Sequence, residues 1–464
     1  MLLQGDAARI PLPDKSIHVC VTSPPFWGLR KYAGDQGRGT YPDLGLEPTP
    51  EEFVEHMVAI FREVRRVLRD DGVCWLNLGD CYASANARRV TETESAKAIE
   101  RGKRLNYYNQ PAGWTGRGDR AVMDIDIPQG NLMLMPHRVA IALQDDGWVV
   151  RNDVVWYKRN PMPESVRGWR WERSKTEIAR LKGQAMQVAN KGSEHLMGSP
   201  DKVIYEYGDD YVLRKGSWRH TRAHEYIFML TKGMGYFCNQ EAVRVPYQAS
   251  SIARSEYPVA KISVEDAQGK FGKGIRGDPN RGKKVTPHSA GRNPRSVLDI
   301  PTASYSGSHY ATYPPKLIAP LIRASCPRRC CPECGAPWAP VVERNRLARH
   351  ELPKEDKRYR PARYDGKYGN VKGSSFGDDA GYTESSVKSY RPTCSCGHEP
   401  VPGIVLDPFG GSGTTGMVAK KLMRRWFVLD ISREYLDQQA KVRTGSGSPS
   451  NALDDLPLFD GSVI

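Results

Sequence analysis

Ile404-Val405-Leu406-Asp407-Pro408-Phe409-Gly410-Gly411-Ser412-Gly413-Thr414-Thr415 decides the reading of this chain. An apolar run, 403–407, reads as a strand ending in a carboxylate; a glycine-rich turn follows and opens a helix to about Arg424. Glycines there let the backbone turn tightly and come close to a ligand. The next apolar stretch, 426–430, reads as a second strand that also ends in an acid, Asp430. A carboxylate in that place can accept both hydroxyls of a ribose. The unit reads as the nucleoside-cofactor half of a doubly wound α/β sheet. A tight strand–helix turn without a ligand is the plainer alternative, and Asp430 weighs against it.

The other end of the chain carries a second signal. Residues 17–22 (IHVCVT) read as a buried strand, and Ser23-Pro24-Pro25-Phe26-Trp27 follows directly. Two consecutive prolines hold the chain extended and remove two N–H donors. A hydroxyl, a proline carbonyl and an aromatic face at a strand end can seat a flat, amine-bearing ring; an ordinary turn with buried aromatics is the alternative. Thr49-Pro50-Glu51-Glu52 has capping-box spacing, and Phe53, Met57, Ile60, Phe61, Val64, Val67 and Leu68 follow at helical spacing, so a helix is expected up to Asp71-Gly72. Further strands are expected at 73–78, 148–158 and 226–231, and short helices at 136–143 and 317–324. Residues 84–125, 160–220, 248–296 and 341–390 are polar, mostly basic, and show no clear period.

Composition narrows the class. The 464 residues carry 68 Lys plus Arg against 53 Asp plus Glu, a formal charge of +15, which favours an anionic partner, nucleic acid first. No run of about 18 apolar residues argues for a membrane span, and the N-terminus does not read as a signal peptide. A cytoplasmic protein is expected. In that compartment ten cysteines point to metal, or to no special role, rather than to disulfides.

DPFGGSGTT together with SPPFW resembles the amino-methyltransferases of DNA, which methylate the exocyclic nitrogen of adenine or cytosine. The catalytic motif comes first and the cofactor motif last, the order of the beta group. The resemblance implies a Rossmann-like, S-adenosylmethionine-dependent methyltransferase fold, α/β and circularly permuted, with an inserted recognition region and a small zinc-ribbon-like insertion. It implies catalytic roles for Ser23, Pro24, Pro25, Phe26 and Trp27. It places S-adenosylmethionine against Asp6, Tyr313, Asp407, Phe409, Gly410, Gly411, Gly413, Thr414 and Asp430. The segments 156–161 (WYKRNP) and 222–227 (RAHEYI) resemble those lining the target pocket, and 309–317 (HYATYPPKL) the one completing the methionine side of the cofactor site. The expected organisation is a catalytic half at 1–160 and a target-recognition region at 161–300 containing the core strand 226–231. A cofactor-site segment at 301–325, a zinc-ribbon-like insertion at 326–400, a cofactor-binding half at 401–443 and a tail at 444–464 follow.

An exocyclic amine is a poor nucleophile because its lone pair is delocalised into the ring. Hydrogen bonds from its N–H groups to Ser23 and to the Pro24 carbonyl would localise that pair, with Phe26 or Trp27 stacked on the ring. The target lies inside double-stranded DNA and must be flipped out. Serine in the first position of the motif resembles the N4-cytosine members, so cytosine is favoured and N6 of adenine is the alternative. No covalent cysteine is needed, so Cys20, Cys74 and Cys81 are expected in packing.

Cys331-Pro332-Glu333-Cys334-Gly335 and Cys394-Ser395-Cys396-Gly397 supply four thiolates, enough for a closed tetrahedral zinc site; Cys326 and Cys330 leave the ligand choice ambiguous. The run 167–171 (RGWRW) suits a DNA surface. Two other classes compete: a methyltransferase acting on RNA or a protein amide, and a zinc-ribbon DNA-binding protein with an inactive methyltransferase fold. A cognate restriction endonuclease is a further expected partner.

Overall fold

The computed structural model describes residues 1–28, 39–41, 44–83, 127–161, 168–181, 185–187, 196–198, 202–248, 291–303, 313–347, 355 and 382–445. The expectations for 84–125 and for Arg167, most of those for 248–296 and 309–312, and the tail beyond Gly445 lie outside them. No helix among the described residues is long and apolar enough to cross a membrane.

The chain divides into two units. The first holds Met1–Tyr236, Ser296–Ile322 and Ile404–Ser450. Its centre is an eight-stranded sheet in the order β1-β14-β13-β2-β3-β9-β4-β10. The strands are β1 (Leu2–Gln4), β2 (Ile17–Thr22), β3 (Leu68–Leu78), β4 (Val149–Tyr157), β9 (His224–Thr231), β10 (Val297–Asp299), β13 (Ile404–Asp407) and β14 (Arg425–Asp430). From β1 to β3 every pairing is parallel. β9 runs antiparallel to both β3 and β4. The carboxyl ends of five neighbouring strands therefore share one edge, the place where open α/β sheets bind ligands.

β2 is buried along its whole length, as a central strand covered on both faces must be, which is why it reads as an apolar run without alternation. Helix α1 (Pro50–Val67) starts where Thr49 accepts a hydrogen bond from the Glu52 N–H at 3.2 Å, with Pro50 in the first turn. Its buried stripe of Phe53, Met57, Ile60, Phe61, Val64 and Val67 packs into the main core, each such side chain contributing about 1.5–3 kcal/mol. The helix ends at Val67, short of the expected Asp71-Gly72, because Leu68 turns to an extended conformation and joins β3 at once. Cys20, Cys74 and Cys81 are buried in that core. Helices α2 (Met135–Asp145), α3 (Pro315–Ser325) and α4 (Thr414–Lys421) lie where the sequence pattern put them.

The two-stranded ribbons of the 161–300 region were not expected. In the first unit β5 (Arg170–Leu181) pairs antiparallel with β8 (Lys202–Arg214), and the short β6 (Ala185–Gln187) pairs with β7 (Leu196–Gly198). The second unit, Phe237–Arg295 and Arg323–Gly403, contains the ribbon of β11 (Trp338–Leu347) and β12 (Tyr382–Pro392). The stretch 341–390, expected as a polar loop, therefore begins and ends in paired strands.

Candidate active site

The glycine-rich turn is tied to the sheet on both sides. Gly410 N–H donates to the Leu429 carbonyl at 2.8 Å, and Gly411 N–H to the Asp430 carboxylate at 2.7 Å. A Cβ on Gly410 would stand 2.1 Å from Val428 Cγ1, so only glycine fits against the neighbouring strand. Gly413 sits at φ 74°, with Ala440 filling the space a side chain would need. Phe409 packs, partly buried, against the core. Thr414 is buried and accepts from Arg443 at 2.8 Å.

Asp407 is enclosed. Its carboxylate accepts from Thr22 at 2.8 Å, Thr415 at 2.6 Å, Tyr313 at 2.8 Å and the Phe409 N–H at 3.2 Å. Burial raises its carboxyl above the usual range, and these donors oppose that shift. The Tyr313 hydroxyl also meets the Thr415 hydroxyl, and burial pushes its phenol up. Asp407 and the Tyr313 hydroxyl are thus spent on each other and on the turn, joining β2, β13, α4 and the segment before α3.

Two carboxylates stand on adjacent strand ends. β1 pairs with β14 so that Gln4 lies opposite Asp430, and Gly5 N–H donates to the Asp430 carbonyl at 3.0 Å. Asp430 accepts from Gly411 and, at 2.9 Å, from the Ser432 N–H. Asp6 accepts from the N–H groups of Ala8 at 2.9 Å and Thr40 at 2.6 Å. Partial burial alone would raise the Asp6 carboxyl; the Ala8 and Thr40 donors outweigh it and hold the group below its ordinary value.

The proline motif leaves the end of β2, beside the glycine turn. Pro24 is buried, Ser23 and Pro25 partly so. Phe26 lies against Gly79, where a Cβ would come within 2.6 Å of its ring. Trp27 differs from the expected stacking role. It is 1% exposed, belongs to the core, and donates its indole N–H to the Glu47 carbonyl at 2.9 Å. Of the two aromatics, Phe26 is the one nearer the surface.

Several polar residues at this edge were not singled out in the sequence. Asn77, one residue past the partner of Thr22 on β3, donates to Ser23 Oγ at 3.2 Å and to Glu225 Oε2 at 2.8 Å. Glu225 pairs with Lys158. Asp80 accepts from the N–H groups of Cys81 and Met135 and pairs with Arg222 at 3.2 Å. Glu225, Lys158 and Arg222 do fall inside the two segments read as lining the pocket. For Asn77 the signal is one amide in an otherwise apolar strand.

In the second unit the sulfurs of Cys331, Cys334, Cys394 and Cys396 lie within 4.8 Å of one another, and those of Cys334 and Cys396 are 3.6 Å apart. The edge of a tetrahedron with Zn–S of about 2.3 Å is about 3.8 Å. The Cys334 N–H, directed at Cys331, is the main cause that brings the Cys331 thiol down to about 7. Cys326 and Cys330 stand outside this cluster, and Cys330 Sγ lies 3.1 Å from the Val401 carbonyl.

The parallel sheet, the glycine turn at a strand end and the neighbouring acids define a nucleoside-cofactor enzyme fold with a second polar motif at the same edge. The N6/N4 family model, described as DNA methylase, matches residues 17–329 and 389–441, and the chain belongs to this DNA methyltransferase family. A type II methyltransferase, M.XycI from Xanthomonas campestris pv. cyanopsidis, is 32% identical over 70% of this chain and 72% of its own. M.SfiI from Streptomyces fimbriatus, also a type II methyltransferase, is 28% identical over 94% of this chain and 89% of its own. A solved structure of the PvuII DNA methyltransferase (cytosine-N4-specific) aligns with 98% of this chain and 89% of its own at 14% identity and a TM-score of 0.40, a fit too loose to bear on the base.

Proposed function

We propose that this protein transfers a methyl group from S-adenosylmethionine to the exocyclic amine of a base flipped out of duplex DNA, with N4 of cytosine as the target. N6 of adenine is the second reading. The observation that carries the proposal is the shared edge: the glycine turn, Asp430, Asp6 and Ser23-Pro24 occupy the carboxyl ends of adjoining parallel strands. The permuted order of the fold accounts for the last strands of the chain, β13 and β14, lying between β1 and β2.

The residues fit the cofactor. Asp430 and Asp6 offer carboxylate oxygens for ribose hydroxyls and an adenine amine, and the turn from Phe409 to Gly413 offers backbone at close approach. Asp407, Thr414 and the Tyr313 hydroxyl hold that turn in shape from behind. When bound, S-adenosylmethionine supplies a sulfonium methyl: a C–N bond forms at the base amine as the C–S bond breaks, and sulfur keeps the electron pair. Ser23 and the Pro24 carbonyl accept hydrogen bonds from the amine N–H groups and localise the nitrogen lone pair, and the proton lost from nitrogen passes to water. Phe26 covers the ring, while Pro25 and Trp27 fix the motif. Holding the amine in line supplies much of the acceleration.

Target recognition falls to the inserted region. Tyr157, the last residue of β4, pairs with His224, the first of β9, so the chain leaves and re-enters the sheet at the catalytic edge. The β5–β8 ribbon carries Trp171 (65% exposed), Tyr207 and Tyr211 (60% each) with Arg173 and Lys175, and cross-strand pairing puts these on one face. A two-stranded ribbon fits a major groove. The four-cysteine cluster holds a structural zinc ion that pins the turns at the root of the β11–β12 ribbon. Restriction-modification with a cognate endonuclease is the proposed setting.

The test is incubation with labelled S-adenosylmethionine and duplex DNA, RNA or protein, with nucleosides identified by mass. N4-methylcytosine in DNA supports the reading; label confined to RNA or protein overturns it.

A further inference from the structure

We propose that Asn77 is a positioning residue that fixes the Ser23 hydroxyl as a donor to the ring nitrogen beside the target amine, and that the Glu225–Lys158 ion pair fixes Asn77 in turn. The inference rests on the reading of Ser23 given above.

Asn77 is 4% exposed and stands at the end of β3, one strand over from Ser23. Its Nδ2 is shared between Ser23 Oγ at 3.2 Å and Glu225 Oε2 at 2.8 Å. Glu225 belongs to β9, which pairs with β3, and its other oxygen meets Lys158 just past the end of β4. Both Glu225 oxygens act as acceptors, one for Lys158 and one for Asn77. The amide group facing it must therefore be NH2, which settles the orientation of Asn77.

That orientation leaves a visible cost. Asn77 Oδ1 is buried without a hydrogen-bond donor among the described residues. Turning the amide over would bring this oxygen towards the Ser23 proton, but it would also place it against the Glu225 carboxylate. The arrangement thus leaves Oδ1 as an orphan acceptor while it keeps an N–H on Ser23.

A serine hydroxyl has two lone pairs and one proton. Asn77 occupies one lone pair. The second lone pair and the proton are left for the base, and among the described residues no acceptor takes that proton. Cytosine and adenine both present an N–H of the amine next to an unprotonated ring nitrogen, so one hydroxyl closes a ring of two bent hydrogen bonds with that edge. Thymine and guanine carry a hydrogen on the corresponding ring nitrogen, and the Ser23 proton would face it. Asn77 thereby makes the motif selective for the 4-aminopyrimidine and 6-aminopurine edges, and a base with a keto group at that position is turned away by donor against donor.

The experiment compares a cognate duplex, found by sequencing DNA methylated in cells that express the protein, with the same duplex carrying 3-deazacytosine (or 1-deazaadenine) at the target. Single-turnover methylation is measured for the wild type, Asn77→Leu and the isosteric Glu225→Gln, and calorimetry of S-adenosylmethionine binding reports that each variant is folded. In the wild type the deaza base slows transfer by roughly 10- to 100-fold, the worth of one buried hydrogen bond. Both variants slow transfer to the natural base by a similar factor and lose most of the deaza penalty, with cofactor affinity unchanged. If Asn77→Leu fails to bind cofactor, Glu225→Gln alone decides. Wild-type rates in the variants, or slow variants that keep the full deaza penalty, overturn the inference. A slow Ser23→Ala beside a fast Glu225→Gln would sink only this inference; a fast Ser23→Ala would sink the reading beneath it.

Discussion

The Tyr313 hydroxyl donates to the Asp407 carboxylate at 2.8 Å, so the last residue of β13 is held by a residue 94 positions earlier in the chain. With Thr22 and Thr415 on the same carboxylate, one buried acid ties together the strand before the proline motif, the glycine turn and the segment entering α3. Asp407 therefore sets the distance between the two motifs.

Tyr313→Phe removes one of those donors and leaves the ring. Three donors remain, so the fold persists, destabilised by about 1–2 kcal/mol in denaturant titrations. Cofactor affinity falls at the same time because the turn loosens. Unchanged stability and affinity would show that the tyrosine hydroxyl does not brace the site.

Asp430→Asn tests the cofactor seat. The carboxylate accepts from the Gly411 and Ser432 N–H groups at the end of β14. Replacing it with a neutral amide should weaken S-adenosylmethionine binding by roughly 10- to 100-fold, the loss of charge-assisted hydrogen bonds. Calorimetry on the folded variant showing wild-type affinity would remove Asp430 from the site.

Asp6 gives a pH signature. Its carboxyl is held low by the Ala8 and Thr40 N–H groups, so the folded chain binds its proton less readily than the unfolded chain. That contribution to stability is complete above the unfolded value of about 3.9 and is lost as pH falls through the lower folded value. Asp6→Asn should be less stable than the wild type at pH 7, and the gap should narrow as pH drops below about 4. A gap constant from pH 7 to pH 3 would contradict this.

Zinc content tests the cysteine cluster. Protein prepared without chelators should carry about one zinc per chain, and Cys396→Ser should carry less. Metal-free wild-type protein would leave the four sulfurs as reduced thiols.

The two motif-bearing strands were legible because β2 and β13 are buried nearly throughout and lead directly into special residues. Residues 404–415 announce strand, glycine turn and helix, and 17–27 announce strand and proline motif. The ribbons of the 161–300 region were not legible. Trp171, Tyr207 and Tyr211 are exposed and stand among charged residues, so no buried apolar stripe betrays these strands. The choice between Phe26 and Trp27 is not legible either: motif position says which residues stand at a strand end, whereas the bond to the Glu47 carbonyl that holds this indole in the core depends on a separate loop. The partnership of Asn77 with Ser23 needed the register of β2 against β3, which single-sequence patterns do not contain.

Ser23→Ala tests the central claim most directly. Ser23 sits at the mouth of the sheet, in contact with Asn77 and outside the core, so the variant should fold and bind S-adenosylmethionine as the wild type does. Single-turnover methylation of the cognate duplex should fall by about 10²–10³, by analogy with the loss of one oriented hydrogen bond in a dry site. The residual product should be N4-methylcytosine. A wild-type rate in the variant would contradict the account, because the amine would then be activated somewhere other than at the end of β2.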